Sequence, residues 1–182
     1  FNDITVLEEL ATKNKSSKDI TAILIEPIQG EAGIIVPDNG YLTKIREICD
    51  QNNWLMIVDE IQTGIGRTGK FFAFQHENIK PDAITLAKGL GNGVPIGALV
   101  INETAASLFK PGSHGSTFGG NPLSCSASLA VLNEIEKNKL YENATKQGEK
   151  IINGFKQKLA NHKNVVAIKG KGLMIGIELD RP

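Results

Sequence analysis

Cysteine is scarce in this chain of 182 residues: Cys49 and Cys125 stand far apart, with no Cys-x-x-Cys pair and only three histidines to join them. That argues against a disulfide framework or a structural zinc site, no metal ligands are assigned, and the cytoplasm is the expected compartment. An excess of either charge is also missing, since twenty Lys and Arg meet twenty Asp and Glu and no long like-charge block occurs. The chain therefore lacks the electrostatic footprint of a nucleic-acid or anionic-membrane binder, and small neutral or zwitterionic ligands remain open. No apolar run reaches the roughly 18 residues needed to span a bilayer, and the start lacks the basic-then-apolar pattern of a leader, so a soluble protein is expected. An initiator methionine is absent as well: the chain opens on Phe1 and closes on "IELDRP", which reads as a piece of a longer protein.

Short apolar runs alternate with amphipathic stretches of helical length, the pattern of an α/β domain with a mostly parallel sheet. The strand candidates are "ITAILIE" (20–26), "WLMIVDE" (54–60), "DAITLAK" (82–88) and "IGALVIN" (96–102). Between the first two, "GYLTKIREICDQNN" places Leu42, Ile45, Ile48 and Cys49 at helical spacing, giving a strand, helix, parallel strand unit. Gly-Asn-Pro at 120–122 opens a further helix whose small residues Ser124, Ala127, Ser128, Ala130 and Val131 predict a face packed tightly on the sheet. From about residue 138 the chain turns to a Lys- and Glu-rich amphipathic helix and then to the alternating "VVAIKGKGLMIGIEL". A domain boundary is expected there. No internal repeat or low-complexity segment interrupts this order.

Chemistry gathers at the strand ends, where an open parallel sheet exposes a crevice beyond the carboxyl edge of its strands. Glu26 and Asp59 each follow four apolar residues, and Lys88 follows "ITLA". A carboxylate so placed is partly desolvated and calls for a donor or a cation, and burial of Lys88 would favour its free amine as a nucleophile. A carboxylate and an amine at one edge suit carbonyl chemistry on a bound heterocycle. Strands also end at surfaces for no chemical reason, and a lysine there can simply reach into water. Both readings stand on spacing alone.

Two glycine-rich stretches point elsewhere. "GIGRTGK" (64–70) matches the first part of a phosphate loop, but Phe71 stands where magnesium binding needs Ser or Thr, and "FFAF" opens no clear helix. "GLGNGVPIG" begins like a dinucleotide fingerprint, but Val94 replaces the third glycine and Pro95 interrupts the helix that should follow. Both fall short of a nucleotide site.

Taken together, "EPIQGEAGIIVP", "DEIQTGIGRTGKFFAFQHENIKPDAITLAKGLGNGVPIGA" and "HGSTFGGNPLSCSASLAVL" resemble the class III pyridoxal-phosphate-dependent aminotransferases, most closely the acetylornithine and ornithine enzymes. The resemblance runs from Asn2 to "GKGLMIGIELDRP", with the three motifs in the family's order and spacing. It implies fold type I: a three-layer α/β/α large domain, of which residues 1–137 would form the later portion, and a smaller α+β C-terminal domain, of which 138–182 would form a linking helix and the start. It also implies a homodimer with shared active sites, pyridoxal 5'-phosphate as cofactor, and amino acids and 2-oxo acids as substrates.

Each carried-over role has a chemical reason. Lys88 matches the lysine that forms a Schiff base with the cofactor and then moves the substrate proton, two tasks that require an amine. Asp59 matches the aspartate that keeps the pyridine nitrogen protonated, so that the ring accepts electrons. Ile61, where the family most often has valine, matches the aliphatic residue on one ring face, and Gln62 the amide at the ring hydroxyl. Ser116 and Thr117 in "HGST" match the segment that binds the cofactor phosphate of the neighbouring subunit. Glu31 matches the substrate-reading carboxylate that pairs with an arginine while the distal amine reacts. Glu60, Arg67, His76 and His114 remain structural or supporting candidates.

By the same resemblance, the phosphate turn, the aromatic that stacks on the other ring face and the substrate-carboxylate arginine lie outside Phe1 to Pro182. The piece alone is therefore expected to be inactive and to bind the cofactor weakly. The leading activity is transfer of the ω-amino group of N-acetylornithine to 2-oxoglutarate, in arginine biosynthesis. Ornithine δ-aminotransferase is the near alternative, and a non-catalytic or nucleotide-binding module the alternative of another class.

Overall fold

A computed structural model describes residues 1–17 and 19–180. In chain order the elements are α1 (Ile4–Ser17), β1 (Ala22–Ile25), α2 (Tyr41–Asn52), β2 (Leu55–Asp59), β3 (Ala83–Leu86), β4 (Ala98–Ile101), α3 (Glu103–Ala106), α4 (Pro122–Lys137), α5 (Leu140–Leu159), β5 (Val165–Lys171) and β6 (Met174–Leu179). Short 3-10 turns at Ala73–His76 and Lys88–Leu90 complete the set. The four strand candidates, the helix between the first two, the helix after Gly-Asn-Pro and the two-part C-terminal segment all form as expected. The sequence reading assigned no element to α1.

β1, β2 and β3 lie side by side and parallel, and β4 closes the sheet antiparallel to β3, in the order β1-β2-β3-β4. A parallel pair needs a long crossover, which α2 supplies between β1 and β2. Its apolar stripe is Leu42, Ile45, Ile48 and Cys49, all buried, and it packs with Met56, Val58, Ile84 and Leu86 into one core. Trp54, Ile79, Leu90 and Ala11 of α1 join the same cluster. Asp82 ties the strand starts together: its carboxylate accepts from the Met56 amide at 2.8 Å and from Asn102 Nδ2 at 2.8 Å, and pairs with Arg46 at 2.7 Å.

The opposite face of the same strands has no such cover. Leu24 of β1 is 65% exposed and Leu99 of β4 49% exposed, while Ile57, Asp59 and Thr85 between them are half-buried. This one-sided cover explains the exposed apolar side chains without any fault in the strand pattern.

α4 departs from expectation in what it packs against. Asn121 caps it by accepting from the Ser124 amide at 3.0 Å, with Pro122 in its first turn. Ser124, Ser128 and Ile135 are buried, but Ala130 is exposed, and the helix rests on the Lys88–Leu90 turn and on α5 instead of on the strands. Small residues here admit a loop, whose backbone needs the close approach. Lys139, in a left-handed conformation at φ 47°, turns the chain from α4 into α5. α5 then packs on the antiparallel hairpin β5–β6, whose turn meets the 64–70 loop where the Leu173 amide donates to Arg67 O at 2.9 Å.

Candidate active site

Because β1, β2 and β3 are parallel, their carboxyl ends share one edge, and Glu26, Asp59 and Lys88 all follow there. The donors that the sequence called for are local amides. Glu26 Oε2 accepts from the Gly30 amide at 3.0 Å, which turns the chain after β1, and Asp59 Oδ1 accepts from the Ile61 amide at 2.9 Å, which turns it after β2. Alternation along β2 sends Met56 and Val58 toward α2 and puts Asp59 on the uncovered face, directly across from Thr85 of β3.

Glu60 takes the other direction and is fully buried. Its carboxyl accepts from the Thr63 hydroxyl at 2.5 Å and the Phe74 amide at 2.9 Å, while its own carbonyl accepts from the Gly64 amide at 2.9 Å. Burial pushes its acidity toward higher pH, against the opposing pull of Thr63 and of the Phe74 and Ala73 amides. Glu60 thus ties the Ile61–Gly64 turn to the Ala73–His76 turn. The sequence showed an acidic pair; only the fold shows that one member faces the open side and the other the interior.

Lys88 begins its 3-10 turn at φ 44°, a left-handed backbone that costs a residue with a Cβ about 1–2 kcal/mol. The bend takes the chain off the line of β3, with Leu90 buried behind it. Gly91 sits where a Cβ would lie 2.0 Å from Val94 O, so this glycine lets the chain pass closely behind Lys88. Lys88 itself is exposed, not desolvated. It opens on a cavity of about 880 Å³ that Ile61, Gln62, Arg67, Glu134 and Met174 also line.

Gln62 links this cavity to Glu31. Its Nε2 donates to Glu31 Oε1 at 3.1 Å, across 31 residues of sequence. Asp59 does not line the cavity; it reaches it through the Ile61 amide. Ser116 and Thr117 stand apart in a stretch, 106–120, that is exposed throughout, with Ser116 Oγ accepting from the Gly119 amide at 3.0 Å. The structure therefore gathers Lys88, Ile61, Gln62, Glu31 and Asp59 and leaves Ser116 and Thr117 outside.

Thr85 escaped sequence reasoning. Its hydroxyl is buried and has no hydrogen-bond partner, although it stands beside Asp59 on the open face. An orphaned hydroxyl of this kind calls for a polar group from outside the chain. Only the strand register, which sequence does not print, could have found it.

The phosphate-loop reading of residues 64–70 fails on backbone geometry. The Gly66 amide donates to Phe71 O at 3.1 Å, the Arg67 amide to Gly64 O at 3.3 Å and the Gly69 amide to Gly66 O at 3.2 Å. These N–H groups are spent inside the turn, and no α-helix follows to offer more. Among the described residues no cluster of His, Cys, Asp and Glu could hold a metal ion, and no helix is long and apolar enough to cross a membrane.

Known proteins resemble this chain in sequence and fold. The family profile for aminotransferase class III matches residues 2–182. An acetylornithine aminotransferase of Nitrosomonas europaea is 50% identical over 182 residues, covering 100% of this chain and 46% of that protein. Among solved structures, the acetylornithine aminotransferase of Elizabethkingia anophelis superposes with TM-score 0.93 at 42% identity, covering 100% of this chain and 47% of that one. An ornithine aminotransferase of Plasmodium yoelii gives 0.92 at 43% identity, covering 98% of this chain and 47% of that one. The chain spans about half the length of the curated relatives it matches.

Proposed function

This chain belongs to the class III aminotransferases and has their fold, and from that premise we propose that the protein moves the ω-amino group of N-acetylornithine to 2-oxoglutarate with pyridoxal 5'-phosphate as cofactor. The observation that carries the reading is the meeting of Lys88, Ile61 and Gln62 on one cavity, beside Asp59 and an unpartnered Thr85 hydroxyl. The donor set fits the cofactor: an amine for its aldehyde, a carboxylate for its ring nitrogen, an amide for its ring hydroxyl and a branched aliphatic side chain for its ring face. When bound, pyridoxal phosphate supplies an aldehyde that takes up an amine and a protonated ring that withdraws electrons.

The chain's own residues do the rest. Asp59 holds a proton at the ring nitrogen, with one oxygen already occupied by the Ile61 amide and therefore fixed in direction. Lys88 Nζ takes the proton from the amine-bearing substrate carbon and would hand it to the cofactor's aldehyde carbon, and its exposure to the cavity leaves it free to swing between those two positions. Ile61 excludes water from one ring face. Glu31, held by Gln62, offers a carboxylate to a cation at the rim. Ser116 and Thr117 act on the phosphate bound by a second copy, which accords with their exposure and their place outside the cavity lining. We place the division between the large cofactor domain and the small C-terminal domain at residue 138, beside the left-handed turn at Lys139. The protein works as a homodimer in the cytoplasm, a compartment in keeping with free Cys49 and Cys125.

Ornithine is the second donor to consider, because the Plasmodium yoelii ornithine enzyme superposes as well as the acetylornithine ones do. The test uses the full-length protein. Borohydride reduction in the presence of pyridoxal phosphate, followed by peptide mapping, should place the label on Lys88, and Lys88→Ala should lose both label and transamination. A label elsewhere overturns the assignment. Initial rates with N-acetylornithine against ornithine decide the donor.

A further inference from the structure

Gln62 lies in space that another residue leaves empty. A Cβ built on Gly30 would stand 2.5 Å from Gln62 Oε1, 2.6 Å from its Cδ and 2.6 Å from its Nε2. No alanine or larger residue at 30 is compatible with the amide where it is. Glycine is not needed here for its backbone, because Gly30 is absent from the positive-φ residues. Nor is the surrounding turn strained: the Gly30 amide donates to Glu26 at 3.0 Å, the Gly33 amide to Gly30 O at 3.0 Å, and Gln29 and Ile35 exchange backbone hydrogen bonds of 3.1 and 3.2 Å. The three atoms nearest to a side chain at 30 all belong to the far end of Gln62.

We propose that Gly30 is a positioning residue for substrate selection, acting through Gln62: it leaves room for the Gln62 amide to lie beside Glu31, and so sets the carboxylate that discriminates between the two amino-group donors. Glu31 is exposed and lies on a turn outside the regular elements, so without Gln62 it is a solvated carboxylate with many orientations. With Gln62 donating to Oε1, one oxygen is committed and the carboxylate is held in one orientation. Gln62 also lines the cavity that Lys88 enters, so one amide touches both the cofactor side and the substrate-reading side of the site. The inference rests on the function proposed above for Lys88 and Glu31.

The atoms nearest to a methyl group at 30 are a flexible side-chain terminus, so Gly30→Ala should fold normally while displacing Gln62. In the full-length holoenzyme we expect an unchanged melting temperature and a fall of about tenfold in kcat/KM for the ω-amino donor, the scale of one lost hydrogen bond to a charged group. The fall should lie mainly in KM, with the half-reaction of glutamate altered less. The absorbance spectrum of the bound cofactor should shift in both Gly30→Ala and Gln62→Ala, a readout independent of turnover. The decisive comparison is the double variant: if Gly30 acts through Gln62, Gly30→Ala adds nothing to Gln62→Ala. Additive losses, or an unshifted spectrum in Gly30→Ala, overturn the inference while leaving the activity in place. Failure of Lys88 labelling in the parent protein overturns the underlying function instead.

Discussion

The two faces of the four-stranded sheet are built from the same strands and do different work. One face is sealed by α2, with Met56, Val58, Ile84 and Leu86 buried among Leu42, Ile45, Ile48 and Cys49. The other carries Asp59, Thr85 and the exposed Leu24 and Leu99. Alternation along a strand assigns a residue to a face, but the neighbour of that face decides whether the residue serves packing or chemistry. The Asp59–Glu60 pair is the sharpest instance, since adjacent carboxyl groups end up on opposite sides, one on the open face and one buried under a turn it holds.

The comparison is broken most strongly from the sealed side. Met56→Ala removes a fully buried side chain and should cost about 2–5 kcal/mol in urea unfolding. Glu60→Ala strands the Thr63 hydroxyl and the Phe74 amide, for an expected loss of about 1–3 kcal/mol, of which Glu60→Gln should restore only part, because the two donors use different carboxylate oxygens and the amide offers one. A Glu60→Ala as stable as the parent would mean that the buried carboxyl does not hold the turn.

A smaller effect appears in acid. His76, whose Nε2 lies 3.1 Å from both Thr68 Oγ1 and Thr68 O, is pushed from its usual 6.5 down to about 4 by burial first and then by Lys171 and Lys70. The unfolded chain therefore binds a proton in the window between those values that the folded chain does not, and stability falls as pH drops through it. Urea midpoints from pH 7 to 4 should fall less in His76→Gln than in the parent, and parallel curves would rule the histidine out. The smallest effect belongs to the open face: Leu24→Ser should stay within about 0.5 kcal/mol of the parent. A loss there comparable to that of Met56→Ala would erase the distinction between the faces.

Much of this was legible before the fold was. The run "AILI", the stripe of α2 and the cap at Asn121 act through neighbours a few residues away, so their periods and end signals are printed in the chain. The motif resemblance placed the candidate site residues one by one, and the structure brings Lys88, Ile61 and Gln62 to one cavity. α4 was misjudged because small residues signal close approach without naming what approaches. Thr85 and Gly30 were missed because neither residue type is distinctive. Their meaning comes from a strand register and from a side chain 32 positions away, respectively.

The sequence by itself determined the order of strands and helices, the placement of an amine and two carboxylates after apolar runs, and the family these motifs resemble. These are local or cumulative properties of the chain, carried by spacing and residue type. Tertiary structure alone decided that Asp59 faces outward and Glu60 inward, that the loop at 64–70 consumes its own amides, and that Gln62 reaches Glu31 through the gap at Gly30. Those outcomes depend on which surfaces meet, and contact between residues thirty positions apart is set by packing the whole sheet, which no local pattern encodes.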